Sequence, residues 1–286
     1  MRKDDAILIN RRSSSFKDNN IILNHSNIEL LTPEEFNAEP HTHDMCELLF
    51  LKKGNPKYSV EGKSYKLSKN TLVISRVGER HHITFDEPGP YERYNILYNE
   101  NRLPFKLSEK LPKSVDIINF DGNAIVCELF KKTDYYSSQF EGEELSRLLC
   151  GITEEIFFNI IIAAKNDVSQ DRIASSNPVV ASAIDYINEN ILTISDLDEL
   201  CKTLYITKSH LHHLFTKYLQ ISPKQYILSK RLSLARSAIR SGQRPVNVYT
   251  ECGFSDYSTF YRDYKKHFGH SPSREGDFEP DSVILS

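Results

Sequence analysis

The stretch HTHDMCE (41–47) places two imidazoles and a carboxylate at positions i, i+2 and i+6. Residues two apart along an extended chain point to the same side. His41, His43, Met45, Glu47, Leu49 and Leu51 are therefore expected on one strand face, polar at one end and apolar further along. Such a wall can bind a divalent transition metal, with His81 or His82 completing the set. The same groups can line a pocket for a sugar or another small polar effector. Histidines at a strand start can also simply meet solvent.

A second kind of chemistry is concentrated near the other end, in CGFSDYSTFYRDYKKHFGHSPSR (252–274), where aromatic and basic residues interleave. On a helical wheel Tyr257, Phe260, Tyr261, Tyr264 and Phe268 fall on one arc, with Ser258, Arg262 and Lys265 opposite. The first arc is core-forming. The second can donate hydrogen bonds to base edges and phosphates. Residues 207–219 repeat the construction: Leu211, Leu214, Phe215 and Tyr218 share one face, and Ser209, His212, His213 and Thr216 share the other. A solvated face is the alternative for either helix taken alone.

The chain of 286 residues is long enough for about two domains. Its five cysteines are scattered without a C-x-x-C pair, which argues against a disulfide framework or a cysteine zinc site. The longest apolar run, IFFNIIIAA (156–164), is too short to span a bilayer, and the first ten residues lack a signal-peptide core, so a cytoplasmic protein with no membrane partner is expected. Charge is divided. Residues 200–275 hold 13 Lys+Arg against 4 Asp+Glu, a surplus of +9, while the rest carries −12. Only one module is built to meet a polyanion.

These residues need elements to position them. Residues 1–20 read as a flexible arm. From 21 to about 100, CELLFL, KYSV, SYKL and TLVIS read as short strands, with EGK (61–63) as a hairpin turn. Residues 101–141 are ambiguous. From 143 to 165 an apolar stripe at helical spacing predicts a helix that packs on the barrel or pairs with its own copy. The polar stretch 166–177 reads as a linker. Helix signals follow in quick succession: Asn177-Pro178, Ser195, Thr207, Ser222-Pro223, Pro245 and Ser255 as starts, Gly242, Gly253 and Gly269 as stops. Two of the pairs, 195–219 and 245–268, have helix-turn-helix form.

Residues 178–274 resemble the DNA-binding domain of the AraC/XylS family of transcription regulators. The likeness is carried by CGFSDYSTFYRDYKKHFGHSPSR, with its Gly-Phe turn and terminal G-x-S-P, and by ITKSHLHHLFTKYLQISPKQYILSKRLSLARSAI. It implies two helix-turn-helix units joined by a rigid helix. It implies base-facing roles for Ser209, His212 and His213 in the first unit and for Tyr257, Ser258, Tyr261 and Arg262 in the second, although the wheel puts both tyrosines on the apolar arc. Cys201 and Thr250 stand where the family has smaller residues, and both are expected to pack. HTHDMCELLFLKKG (41–54) resembles the first motif of the cupin barrel. Gly78 and His81 fit the second motif, where Arg76 replaces a proline.

The expected architecture is α+β and multidomain: a cupin-like β-barrel with a helical extension (21–165), a linker (166–177), an all-α double helix-turn-helix domain (178–275) and a tail (276–286). The expected function is sequence-specific DNA binding, without enzymatic activity, at a double-stranded operator. Control is expected from a small-molecule effector near His41, His43, Glu47 and His81, with no metal and no cofactor. Homodimerisation is expected, and RNA polymerase is a further candidate partner. A metal-dependent cupin enzyme with a DNA-binding tail, and an effector-independent regulator, are the alternatives.

Overall fold

A computed structural model describes residues 12–18, 20–30, 32, 39–103, 106–112, 115–166 and 173–278. Among the described residues ten strands form the first half: β1 (Arg12–Lys17), β2 (Ile21–Leu30), β3 (Cys46–Lys53), β4 (Lys57–Val60), β5 (Lys63–Lys66), β6 (Thr71–Ser75), β7 (His81–Thr84), β8 (Gly89–Tyr98), β9 (Ile117–Asn119) and β10 (Ile173–Ser175). They make two antiparallel sheets, ordered β1-β2-β8-β3-β6-β9 and β10-β5-β4-β7. The β4–β5 hairpin closes through Glu61 and Gly62, both at positive φ (50° and 74°). That geometry matches the twist of the flanking strands.

Strand parity decides which side each residue serves. Leu49 and Leu51 of β3 point between the sheets, where they meet Tyr58, Val60, Tyr65, Ile83 and Tyr91. Cys46, Leu48 and Phe50 point the other way, onto helices α1 (Ala124–Gln139) and α2 (Gly142–Lys165). The stripe of α2, including Leu145, Leu149, Ile152, Ile156, Phe157 and Ile160, is buried there. Of the two uses expected for it, packing on the barrel is the one observed.

The helical half comprises α3 (Pro178–Glu189), α4 (Asp198–Thr203), α5 (Lys208–Leu219), α6 (Pro223–Arg240), α7 (Pro245–Glu251) and α8 (Tyr257–Phe268). It has two cores. One gathers α3, α4, α5 and the start of α6 around Phe215 and Tyr226. The other gathers the rest of α6 with α7 and α8 around Phe260 and Tyr264. Asn177, Thr207 and Ser222 cap their helices as the sequence indicated, Ser222 in a reciprocal capping box with Gln225.

Several expectations are corrected. Residues 12–17 of the expected arm form β1, paired along β2. The remainder of that arm up to residue 11, residues 167–172 of the linker and the tail from 279 onward lie outside the described residues. The last part of the expected linker, Ile173–Ser175, adds a strand to β5. Ser195 caps nothing: Asp196 Oδ1 takes the backbone N–H of Asp198 at 2.6 Å. Asp256, not Ser255, caps α8, accepting from the Thr259 N–H at 2.8 Å. Helix α4 follows Leu197 without a side-chain cap, so the Asp196 contact is a turn ahead of it, whereas at α8 the Asp256 carboxylate makes a charge-assisted cap. Cys201 packs, but Thr250 is exposed.

Candidate functional site

His41 and His43 precede the first residue of β3, so strand alternation does not place them. Backbone pairing does. His41 and His81 exchange both backbone hydrogen bonds at 3.0 Å, and the Gly78 N–H donates to the His43 carbonyl at 2.9 Å. The three rings meet edge-on or tilted with centroids 4.7–5.0 Å apart. Glu47 reaches the same point from β3: its Oε2 lies 3.5 Å from His43 Nε2 and 3.0 Å from His81 Nε2. Asn95 donates to the other carboxylate oxygen. His81, not His82, completes the cluster. Met45 leaves this face and packs with Ile22 and Leu97.

Burial pulls His41 down to about 4, and the neighbouring His81 and His43 act in the same direction. Burial opposes charge on Glu47, yet His43 and His81 hold its carboxyl well below the usual range. Burial also opposes charge on His81, and Glu47 outweighs it, so His81 is raised. Tyr58, Arg93 and Asn95 complete the lining, with the guanidinium of Arg93 over the Tyr91 ring at 5.7 Å. The cavity among them is about 20 Å³. That accommodates a water or an ion. Leu49, Tyr58 and Ile83 line its apolar side.

In the helical half the polar faces stand clear. Ser209, His212, His213 and Thr216 of α5 are exposed, as are Ser258, Arg262 and Lys265 of α8. Tyr261 is 38% exposed, against its place on the apolar arc, while Tyr257 is half-buried against Tyr249 and Phe260. Phe260 and Tyr264 fill the core beneath. Arg262 donates to Thr259 Oγ1 at 3.3 Å, and its charge acts on Asp256 at the start of the helix.

What sequence reasoning missed lies between the halves. Four segments of the barrel half grip α6 and the end of α5 among the described residues. At the β4–β5 turn, the buried Glu61 carboxylate accepts from Tyr226 Oη and from the Arg80 N–H at 2.7 Å, with Lys230 Nζ 3.5 Å away. At the β6–β7 turn, Arg80 Nε donates to the Leu219 carbonyl at 2.7 Å. Gly78, at φ +73°, lies against Lys230, where a Cβ would come within 3.1 Å of Cγ. In the third loop, Asp44 Oδ2 is 3.0 Å from Arg240 Nε and 3.9 Å from Arg236 Nε, and both arginines also pair with the buried Glu275. Arg102 adds two donors to the Arg240 carbonyl. Arg76, the departure from the cupin motif, is structural: it holds Asp116 and the carbonyls of Pro112 and Val115. One signal was available. Ser229, Lys230, Ser233, Arg236 and Ser237 form a polar stripe along α6 that is buried, not solvated.

Two family models match the chain: an AraC-like ligand binding domain over residues 31–113 and a helix-turn-helix domain over residues 200–275. Among curated proteins, the probable transcriptional regulator LumQ of Photobacterium leiognathi is 33% identical over 90 residues, 31% of this chain and 36% of that protein. The uncharacterized HTH-type transcriptional regulator YdiP of Escherichia coli (strain K12) is 22% identical over 239 residues, 82% of this chain and 79% of that one. Among solved structures, ToxT from Vibrio cholerae O395 is 13% identical and covers 90% of this chain and 97% of that one, with a TM-score of 0.38. Among the described residues no helix is long and apolar enough to cross a membrane. A ligand-binding barrel before a pair of helix-turn-helix units, each matched by its own family model, makes the chain a member of the AraC/XylS family of transcription regulators.

Proposed function

We propose that the chain is a ligand-controlled, sequence-specific regulator that works by binding and not by catalysis. It reads DNA with Ser209, His212, His213 and Thr216 from α5 and with Ser258, Tyr261, Arg262 and Lys265 from α8, with Tyr257 supporting the second helix from its aromatic neighbours. The observation that carries this reading is the pair of exposed polar faces on one basic module, joined by α6. Residues 21–165 are the sensor and 178–275 the reader. The ligand acts near His41, His43, Glu47 and His81, and its effect reaches DNA through the grip on α6. Only a difference in affinity between docked and undocked arrangements can shift that equilibrium.

The same reading includes homodimerisation, action on RNA polymerase at a promoter, and residence in the cytoplasm with the genome. Phe158 and Ile162, 52% and 56% exposed on one outward row of α2, support a contact between copies. The test is selection of bound duplexes from a randomised pool with the full chain. A recovered motif whose affinity falls steeply with salt supports the reading, because phosphate contacts release counterions. Recovery of no motif, with all sequences bound alike, overturns it.

A further inference from the structure

We propose that the helical half holds a small-molecule site of its own, a hollow between the 191–197 loop and α6 that takes a compact aliphatic carboxylate and stiffens the joint between the two helix-turn-helix units. The hollow shares no residue with the His41, His43, Glu47 and His81 cluster. It rests on the reading of this half as a DNA binder only for its effect on DNA.

The loop between α3 and α4 crosses the first turns of α6 and leaves a cavity of about 230 Å³. Ile194 and Leu197 line it from the loop, and Ile227 and Leu228 line it from the helix. Residues 224, 227, 228 and 231 present one helical face, because they recur at spacings of three and four. No aromatic side chain lines the hollow among the described residues, so its wall suits branched aliphatic carbon rather than a stacked ring. A water takes about 30 Å³ of liquid, and on that scale the hollow holds roughly eight non-hydrogen atoms.

Two cations border it, Lys224 and Arg231. Among the described residues neither has an ion pair. Arg231 donates instead to two neutral carbonyls, from Nε to Ile191 and from Nη2 to Ile194, each at 2.7 Å. Burial pushes its guanidinium below the usual arginine value, with Cys252 acting the other way. A half-buried cation without a counter-charge is what an anionic ligand completes. The carbonyl bonds use the Nε–Nη2 edge of the fork and leave the Nη1–Nη2 edge able to meet a carboxylate with two parallel bonds. The acidic group of the lining, Asp196, takes the Asp198 N–H at 2.6 Å. Two cations against one carboxylate leave the border at +1, which suits a monoanion rather than a phosphate dianion.

Arg231 is also where the two units meet. Its bonds hold the loop that leads into α4 of the first unit. Its guanidinium lies against Gly253, in the turn between α7 and α8 of the second. A Cβ at that glycine, which has φ +80°, would come within 2.8 Å of Arg231 Nε and 2.7 Å of the Leu192 carbonyl. A carboxylate on the outer edge of the fork keeps both carbonyl bonds and adds a tie at this joint. The spacing of α5 and α8 is then held more tightly, and DNA has less ordering left to impose. Occupancy therefore raises operator affinity.

The experiment adds 4-methylpentanoate to the full chain and follows binding by ligand-observed NMR and equilibrium dialysis. One saturable site per chain is expected in the millimolar range or below. 4-Methylpentylamine, which has the same body and the opposite charge, and inorganic phosphate, which has no body, should not compete. Lys224→Glu and Ile227→Asp should each weaken binding at least about tenfold, and Lys165→Glu on α2 should leave it unchanged. Lys224 is exposed, so its variant tests the site without disturbing the core. Parental affinity in both variants, equal displacement by the amine, or binding that does not saturate overturns the site. For the coupling, the affinity for a selected duplex is compared with and without saturating 4-methylpentanoate. A gain of about fivefold or more, absent from Lys224→Glu, supports it. Saturable binding with DNA affinity unchanged or lowered overturns the coupling. A chain that binds a selected duplex specifically but does not bind the acid would sink this site and leave the regulator reading intact.

Discussion

Asp44 Oδ2 and Arg240 Nε stand 3.0 Å apart, one at the mouth of the barrel and the other on the last residue of the helix that joins the two helix-turn-helix units. The contact between the halves is built mainly from such groups: Glu61 with Tyr226 and Lys230, Arg80 with a carbonyl, and Arg102 with another. Charged groups paired in a protein give back much of their attraction as lost hydration. Water can replace these partners when the halves separate. A ligand shifts such a contact only by as much as its affinity differs between the docked and undocked arrangements.

Asp44→Asn removes the charge that Arg240 and Arg236 share with Glu275. Glu275 remains, so the cost is below that of stripping a buried ion pair outright, about 1–3 kcal/mol of docking. The variant is expected to show a larger radius of gyration by small-angle scattering and faster amide exchange along α6. A scattering profile identical to the parent's would assign Asp44 no part in docking.

Tyr226→Phe separates the interface from the core. Its ring packs with Phe215 in the helical half, but its hydroxyl donates to Glu61 of the barrel. In the full chain the loss leaves a buried carboxylate short of a donor, costing about 1–3 kcal/mol. In a fragment from Asn177 onward the hydroxyl keeps only the Lys230 Nζ contact at 3.3 Å, and the same change should cost less than in the full chain. Equal losses in the two, by urea titration, would place the effect in the helical core instead.

Arg262→Ala tests base reading. The side chain is exposed, with Thr259 as its hydrogen-bond partner, so stability should change by no more than about 0.5 kcal/mol. A bidentate contact to a guanine would make the binding loss about 1–3 kcal/mol, concentrated at one or two base pairs. Lys265→Ala is expected to lower affinity evenly across sequences and reduce the salt slope by about one. Fluorescence anisotropy on single-base variants of the selected duplex, at two salt concentrations, distinguishes the two behaviours.

Ile162→Arg tests the dimer. Its outward position on α2 means the change should leave the fold intact while placing charge in any contact between copies. Light scattering should show the parent at twice the chain mass and the variant at once. A parent that is monomeric at micromolar concentration removes α2 as the interface.

Several local signals were read correctly, Ser195, Ser255 and Met45 excepted, and distant partners were not. Asn177-Pro178, Thr207 and Ser222-Pro223 announce helices because a cap acts within three residues. Leu48 and Leu49 could be assigned to opposite faces because parity is local. The three histidines were found as types, but what gathers them is a backbone bridge between His41 and His81, far apart in the chain. Lys230 and Arg236 counted toward the basic surplus, although both are buried, against Glu61 in one case and Glu275 in the other. A polar stripe on a helix looks the same in sequence whether water or another domain covers it.

The contact between Arg80 and the Leu219 carbonyl also bears on the helix that carries His212 and His213. The last carbonyls of a helix have no partner inside it, and that end carries a partial negative charge that a guanidinium complements. Here the barrel supplies the finishing donor to α5. A cut through the linker therefore severs a hydrogen bond that belongs to the reading helix. The excised fragment should show earlier fraying at Tyr218 and Leu219 than the whole chain, visible residue by residue in amide exchange. The boundary at which the protein can be divided and the boundary of the surface that reads DNA fall in different places.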